Sequence, residues 1–194
     1  MGLGRKLILV LVGLALTGWL SGCGSKSAAV KPGGLRVGDK AADFALMDNT
    51  GHVMKSSDVQ EGWYLVLIFY RGHWCGACLN QLLDLKKDYS RFTDLRVALA
   101  AVSVDTVEES AHFNQEWRFP FPLLSDSQFR LIDPYGARHP REHNGKDISR
   151  PMVLIVDPQK VVRYKYMGQA PTDRPSNEEI LFTLQQIEKK AAKP

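Results

Sequence analysis

The chain has 194 residues, of which 44% are hydrophobic and 24% are charged, proportions that fit one ordinary globular domain with an additional N-terminal segment. Its formal net charge of +4 is too small to indicate a nucleic-acid-binding protein. Composition therefore argues against a nucleic-acid partner and leaves the function to be inferred from the motifs.

Residues 1–22 have the pattern of a secretory signal peptide. Arg5 and Lys6 precede the apolar run LILVLVGLALTGWL, which is shorter than a bilayer-spanning helix. The segment Leu20-Ser21-Gly22-Cys23 is similar to the lipobox of bacterial lipoproteins, and this resemblance implies that Cys23 is lipidated and becomes the mature N-terminus. The expected location is then extracytoplasmic, on the periplasmic side, with a membrane anchor. The alternatives are an uncleaved signal anchor and a plain signal peptide with a chance cysteine.

Residues 23–37 are small, polar and interrupted by Gly and Pro, which predicts a flexible tether. The domain is then expected to occupy residues 38–194. At its start, residues 44–47 and 52–55 flank the turn-forming cluster Asp48-Asn49-Thr50-Gly51, and this pattern predicts a short β-hairpin.

Residues 63–70 form an unbroken apolar and aromatic run, WYLVLIFY, which predicts a central strand buried on both faces. After a turn over residues 71–74, apolar side chains between Leu79 and Phe92 recur three or four residues apart, as on one face of a helix. Cys75 and Cys78 therefore lie where a core strand leads into a helix. Two thiols at this spacing face the same side and can form a disulfide.

The position of the cysteines predicts redox chemistry. Unpaired N–H groups and the helix dipole favour an anion in the first helical turn, so Cys75 is the expected nucleophile. Cys78 is one turn further along and is expected to resolve the mixed disulfide formed on Cys75. Arg71 and His73 are candidates to lower the thiol pKa, and Trp74 offers an apolar surface to a docking partner. A structural disulfide or half of a zinc site would show the same spacing.

The segment FYRGHWCGAC resembles the CxxC-bearing, peroxiredoxin-like branch of the alkyl hydroperoxide reductase and thiol-specific antioxidant superfamily. The hairpin region and the later segment FPLLSD resemble the same group. The resemblance covers about residues 37–190 and implies an α/β protein with a thioredoxin-like fold. We therefore expect a central mixed β-sheet flanked by helices, with an N-terminal β-hairpin extension.

The rest of the chain is consistent with this fold. An alternation of strands and helices followed by a terminal hairpin and helix is expected in such a mixed sheet. The predicted elements are a strand over 96–104, a helix over 106–117 with a capping box, an extended piece at 123–124, a short helix over 127–133, a polar loop over 137–149, a hairpin over 151–157 and 161–166, and a helix that starts near 176.

The resemblance also implies roles for Arg150 and Pro151. Thioredoxin-like proteins carry a cis-proline opposite the CxxC, which leaves the preceding backbone open to a bound peptide, and Pro151 occupies that position. Peroxiredoxins hold an arginine over the reactive thiolate, and Arg150 occupies that position. The alternative is that Arg150 is a loop cation and Pro151 a trans residue that begins a strand.

The sequence departs from both family patterns. Peroxiredoxins usually have Pro-x-x-x-Thr-x-x-Cys before the nucleophile, and Ile68 and Gly72 stand at the Pro and Thr positions counted from Cys75. Thioredoxins usually have a buried aspartate six residues before the first cysteine, where this chain has Phe69. Either another group, such as a water, takes the proton of the resolving thiol, or turnover is slow.

The leading hypothesis is a membrane-anchored, extracytoplasmic thiol-disulfide oxidoreductase. It would use the redox-active disulfide Cys75–Cys78 and no other cofactor, and it would act on protein dithiols or disulfides with an unidentified thiol electron donor. One alternative is a thiol-dependent peroxidase that reduces hydrogen peroxide or alkyl hydroperoxides with the same residues. Another is a copper-delivery chaperone of thioredoxin fold. No resident metal is expected, and His139 and His143 are interpreted as solvated loop residues.

Overall fold

The computed structural model describes residue 1 and residues 34–191. Residues 2–22 of the predicted signal peptide, the lipidation residue Cys23 and most of the predicted tether lie outside the described residues. No helix within residues 34–191 is both long and apolar enough to cross a bilayer.

The described residues form a central mixed sheet of seven strands and a separate two-stranded hairpin. The strands are β1 (Ala45–Asp48), β2 (Val53–Lys55), β3 (Tyr64–Phe69), β4 (Val97–Ser103), β5 (Leu123–Ser125), β6 (Arg138–His143), β7 (Lys146–Ser149), β8 (Met152–Val156) and β9 (Val162–Met167). The helices are α1 (Ser56–Gln60), α2 (Gly76–Lys87), α3 (Tyr89–Asp94), α4 (Val107–Trp117) and α5 (Asn177–Ala191).

The central sheet has the order β2-β1-β5-β4-β3-β8-β9. Strands β3, β4 and β5 are parallel, whereas β8 and β9 add antiparallel neighbours on one side and β1 and β2 on the other. This arrangement confirms the predicted α/β fold and its N-terminal hairpin. Strand β3 lies in the interior of the sheet, between β4 and β8, as its continuous apolar run predicts.

Side chains of β3 alternate between two separate cores, one on each face of the sheet. The face toward the helices contains Val66, Ile68 and Tyr70, together with both thiols, Cys75 and Cys78. Leu65, Leu67 and Phe69 pack into the core on the opposite face. The reactive sulfurs are therefore part of a hydrophobic core rather than of an exposed loop.

Residues 127–133, predicted to be a helix, form turns instead. The buried Asp126 carboxylate accepts hydrogen bonds from the backbone N–H groups of Arg130, Leu131 and Ile132. Phe129 has φ of 58°, which is outside the helical region. The Asp126 carboxylate therefore accepts the backbone hydrogen bonds that main-chain carbonyl groups would accept in a helix.

Residues 137–149, predicted to be a polar loop, contain the β6–β7 hairpin. Its turn is Asn144-Gly145, with φ of 50° and 75°. An Asn-Gly pair with positive φ at both positions is the residue choice of a tight hairpin turn. This signal was present in the sequence, but the flanking strands are too polar to stand out by hydrophobic alternation.

Candidate active site

Cys75 and Cys78 lie at the junction of β3 and α2, where the sequence places them. The turn from Gly72 to Cys75 is closed by a hydrogen bond from the Cys75 N–H to the Gly72 carbonyl (3.1 Å). Cys75 is the N-cap of α2, in extended conformation, and Cys78 is in the first helical turn. Both residues are buried and both are free thiols.

Asp105, at the end of β4, fixes the turn that presents Cys75. Its carboxylate accepts the His73 backbone N–H at 2.9 Å and lies 3.0 Å from His73 Nδ1. It also accepts the Ser103 hydroxyl at 2.8 Å. A Cβ at Gly72 would lie 2.5 Å from Trp74 Nε1 and 3.1 Å from Asp105 Oδ1, so only glycine fits this close approach.

Arg174, from the loop between β9 and α5, is the cation in contact with the sulfurs. Its Nη2 lies 3.2 Å from Cys78 Sγ and 4.0 Å from Cys75 Sγ. Its Nη1 donates to Gln81 Oε1 at 2.6 Å, and its Nη2 donates to the Pro171 carbonyl at 2.7 Å. The Arg71 backbone N–H adds a second donor to Cys78 Sγ, at 3.3 Å.

These groups make the two thiols unequal. The hydrogen bond from the Cys78 thiol is the main cause that lowers the pKa of Cys75 to about 6, and the charges of Arg174 and Arg71 contribute while burial opposes them. The same hydrogen bond and burial raise the pKa of Cys78 well above its ordinary value, against the charge of Arg174.

Arg174 is closer to Cys78, yet the negative charge belongs on Cys75. Cys78 is completely buried, whereas Cys75 is 4% exposed and lies at the positive end of the α2 dipole. An anion on Cys78 would lose more hydration. The pair is therefore arranged to hold one thiolate and one thiol, which are the two forms needed for attack and subsequent resolution.

Trp74 and Arg71 contact the β6–β7 hairpin. The Trp74 ring stacks on His143 with centroids 3.6 Å apart and planes 7° apart. Arg71 lies over the same indole at 5.2 Å and forms an ion pair with Glu142 at 3.5 Å. Trp74 remains 36% exposed, so the apolar surface predicted beside the thiols exists but is partly covered by the hairpin.

The structure corrects the expectations for Pro151 and Arg150. No peptide bond in the described residues is cis, so Pro151 is trans. The Arg150 N–H, expected to be open to a peptide, donates to the Ala137 carbonyl at 2.7 Å, because residue 150 continues the pairing of the hairpin. Among the described residues, the arginine whose guanidinium contacts the sulfurs is Arg174 and not Arg150.

Two functional residues were missed by sequence reasoning. Arg174 and its partner Gln81 are 93 positions apart in the chain, and no local pattern links an arginine in a Pro-rich loop to a distant helix.

The ring of His73, predicted to act on the thiol, instead pairs with Asp105. Within residues 34–191, the cluster suited to a metal is His73, Asp105 and Glu109, and it includes neither cysteine.

Residues 37–165 match the family model described as the AhpC/TSA family. The chain is 29% identical to peroxiredoxin Bcp of Bacillus subtilis (strain 168) over 124 residues, which span 62% of this chain and 78% of the relative. It is 30% identical to a putative peroxiredoxin of Mycobacterium tuberculosis over 104 residues, 54% of this chain and 68% of the relative.

The crystal structure of the peroxidoxin BcpB from Mycobacterium tuberculosis is similar to this fold. Its TM-score is 0.71 at 26% sequence identity, with 79% of this chain and 98% of the other covered. The fold, the paired thiols and the family match agree. The chain therefore belongs to the AhpC/TSA family and is a thiol-dependent antioxidant oxidoreductase with a peroxiredoxin-like thioredoxin fold.

Proposed function

We propose that this protein is a thiol-dependent peroxidase that reduces hydroperoxides through Cys75 and Cys78. The observation that carries the proposal is a pair of thiols at the N-terminus of α2, with the Arg174 guanidinium 4.0 Å from Cys75 Sγ and 3.2 Å from Cys78 Sγ, in a chain of the AhpC/TSA family. The Cys78 hydrogen bond and this charge lower the pKa of Cys75. The relatives named above are peroxiredoxins.

In the proposed reaction, the Cys75 thiolate attacks the distal oxygen of the hydroperoxide. The O–O bond breaks, Cys75 becomes a sulfenic acid, and the alkoxide or hydroxide leaves and takes up a proton. Cys78 then attacks the Cys75 sulfur, the S–OH bond breaks, and water leaves as the disulfide forms. Two electrons from an external thiol donor restore the dithiol.

The donors around Cys78 support its resolving role. While Cys75 is a thiolate, the hydrogen bond between the sulfurs keeps Cys78 protonated. Conversion of Cys75 to a neutral sulfenic acid removes this effect. The Arg174 guanidinium at 3.2 Å and the Arg71 N–H at 3.3 Å then favour a Cys78 thiolate, which is the form that attacks.

A small substrate suits the site better than a protein client. Thioredoxin-type docking needs the backbone of residue 150 to pair with a bound peptide, and that N–H is already bonded to Ala137. The β6–β7 hairpin also covers part of Trp74 through His143. These contacts favour peroxide reduction over the protein thiol-disulfide exchange of the leading sequence hypothesis.

Turnover measurements test the peroxidase directly. Reduced protein supplied with a dithiol donor should consume hydrogen peroxide and tert-butyl hydroperoxide with many turnovers, while insulin disulfide reduction should remain slow. Fast insulin reduction with peroxide consumption no greater than that of the donor alone would reverse the ranking of the two functions.

The proposal places the domain at a membrane through lipidated Cys23, with residues 24–37 as the tether. This rests on the Leu20-Ser21-Gly22-Cys23 sequence alone. In a bacterial host, the full chain should incorporate labelled palmitate and Cys23→Ala should not, whereas Cys75→Ser should behave as wild type. Label in Cys23→Ala equal to that in wild type would contradict lipidation at Cys23.

A further inference from the structure

A small cavity lies beside the thiol site, where the β6–β7 hairpin meets the loop that follows β9. Its volume is about 50 Å³, and its charged lining consists of Arg71, His139, Glu142 and Arg150. A water-sized group needs roughly 10–15 Å³ of such space, so the cavity has room for a few waters or for one carboxylate.

The charges in this cavity are unbalanced. Arg71 is paired with Glu142 at 3.5 Å, and Glu142 also lies 3.5 Å from His139. Within residues 34–191, no group accepts a hydrogen bond from the half-buried Arg150 guanidinium and no carboxylate pairs with it. Two guanidinium groups against one carboxylate leave one positive charge in excess, which suits a monoanion.

The cavity and the thiols share parts of their walls. Arg71 lines the cavity, and its charge contributes to the low pKa of Cys75. Pro171 also lines the cavity, and its carbonyl accepts from Arg174 Nη2, the nitrogen that lies 3.2 Å from Cys78 Sγ. The cavity is therefore lined in part by residues that also form the surroundings of the two sulfurs.

A glycine allows the two sites to adjoin. The Gly168 N–H donates to the Pro151 carbonyl at 2.8 Å. A Cβ at Gly168 would lie 2.3 Å from the Asp173 carbonyl oxygen and 2.9 Å from Pro151 Cγ. Only glycine lets the loop pack this closely against the start of β8, and this packing brings Arg174 to the sulfurs.

We propose that the cavity binds the carboxylate of a small substrate whose other end reacts at Cys75 and Cys78. This inference rests on the proposed peroxidase function and specifies its substrate class. The planar guanidinium of Arg150 matches the geometry of a carboxylate and forms charge-assisted hydrogen bonds with it. The carboxylate belongs either to the hydroperoxide, which oxidises Cys75, or to the thiol donor, two molecules of which reduce the Cys75–Cys78 disulfide and leave as their own disulfide.

Matched pairs of charged and neutral reagents distinguish these sources. In the oxidative half-reaction, the rate of a short hydroperoxide that carries a carboxylate, 4-hydroperoxy-4-methylpentanoate, is compared with that of its methyl ester. In the reductive half, 3-mercaptopropionate is compared with its methyl ester, with rates corrected for thiolate fraction. In one of the two half-reactions we expect the carboxylate reagent to react about tenfold faster than its ester, because one charge-assisted hydrogen bond contributes a factor of about this size. Equal rates in both halves would overturn the proposal.

Three variants locate the preference. Arg150→Gln should reduce the ratio of carboxylate to ester rates to about one. Glu142→Gln should increase it, because Arg71 loses a competing carboxylate. Arg141→Gln, on the same hairpin but outside the cavity lining, is the matched control and should keep the wild-type ratio. The ratio cancels any general loss of reactivity, so an unchanged ratio in Arg150→Gln would refute the assignment.

An equilibrium measurement separates this inference from the peroxidase proposal. Propionate, which reacts with neither thiol, should bind the reduced wild-type protein in an NMR titration, with shifts at hairpin and loop amides. Arg150→Gln should lose these shifts and Arg141→Gln should retain them. Binding of propionate by a protein without peroxidase activity would refute only the peroxidase, whereas peroxidase activity without binding or rate preference would refute only the carboxylate site.

Discussion

The junction of β3 and α2 and the segments that surround it contribute to the active site in different ways. The junction supplies both sulfurs from one short stretch of chain, and its geometry follows from a buried strand that leads into a helix. Arg174 and the hairpin residues Glu142 and His143 come from distant positions and reach the site through packing. The comparison indicates that the nucleophile is placed locally, whereas its charge and access are set from elsewhere in the fold.

Replacement of either thiol should have the largest effect and tests the junction itself. Cys75→Ser should abolish peroxide turnover because no low-pKa thiolate remains. Cys78→Ser should still react once and then stop at a Cys75 sulfenic acid, which dimedone labelling and mass spectrometry detect.

If Cys78 attacked the peroxide, the roles of the two sulfurs would be exchanged. Cys78 would then be the cysteine of the Pro-x-x-x-Thr-x-x-Cys motif, with Arg71 at the Pro position and Cys75 at the Thr position. Sulfenic acid on Cys78 in Cys75→Ser, with an inert Cys78→Ser, would identify Cys78 as the attacking thiol.

Removal of Arg174 tests whether a residue distant in sequence lowers the pKa of Cys75. Arg174→Gln should raise the pKa of Cys75 by about one unit, since a cation this close shifts a thiol by that order. Below pH 6, the fraction of Cys75 present as thiolate, and with it the rate of the reaction with peroxide, should then fall about tenfold. Ultraviolet absorbance of the thiolate across pH measures the shift.

Arg91→Gln provides the control for this effect. Arg91 is paired with Glu178 at the surface, away from the sulfurs. A titration of Cys75 in Arg174→Gln that coincides with those of wild type and Arg91→Gln would show that the guanidinium contact has no influence on the thiol.

The pH dependence of stability connects the thiol pKa to folding. A Cys75 pKa of about 6 in the native state, against 9.0 for an ordinary thiol, means that the unfolded chain binds more protons between these values. The contribution of Cys75 to the unfolding free energy should rise with pH by about 1.4 kcal/mol per unit in this window and be lost as the pH falls through about 6.

Urea denaturation of the reduced protein across this window measures the effect, with the double variant Cys75→Ser/Cys78→Ser as the reference, because the pKa of Cys78 depends on Cys75. Groups outside the thiol pair contribute equally to both proteins. A difference between wild type and the double variant that stays constant between pH 6 and 8 would contradict a native-state thiolate.

The smallest expected effect concerns the hairpin. His143→Ala removes the stack on Trp74 and should cost about 0.5–1.5 kcal/mol of the interaction between hairpin and active-site turn. Hydrogen exchange of amides in residues 138–149 should accelerate, while exchange in α2 should stay unchanged. Unchanged hairpin exchange would show that the stack does not hold this segment.

Much of the fold could be predicted from sequence because its signals are local. The apolar run of β3, the capping box at Thr106 and Glu109 and the start of α5 at Ser176 all describe neighbouring residues. The turns after Asp126 were missed because a buried carboxylate took over the backbone bonds that favour a helix elsewhere.

The residues of the site also differ in whether a local sequence pattern identifies them. Cys75 and Cys78 were identified from their spacing and position, but the contacts of His73 and Arg150 depend on Asp105 and Ala137, which are remote in sequence. Arg174 has no neighbouring pattern that distinguishes it from the other arginines of the chain. Its role depends on the loop packing that Gly168 permits.

The most direct test of the central claim is the rate at which hydrogen peroxide oxidises the reduced protein, followed by stopped-flow tryptophan fluorescence across pH. The claim predicts a second-order rate far above that of free cysteine, rising with a midpoint near pH 6 and ending in a Cys75–Cys78 disulfide. A rate equal to that of free cysteine, with a midpoint near 9, would contradict it.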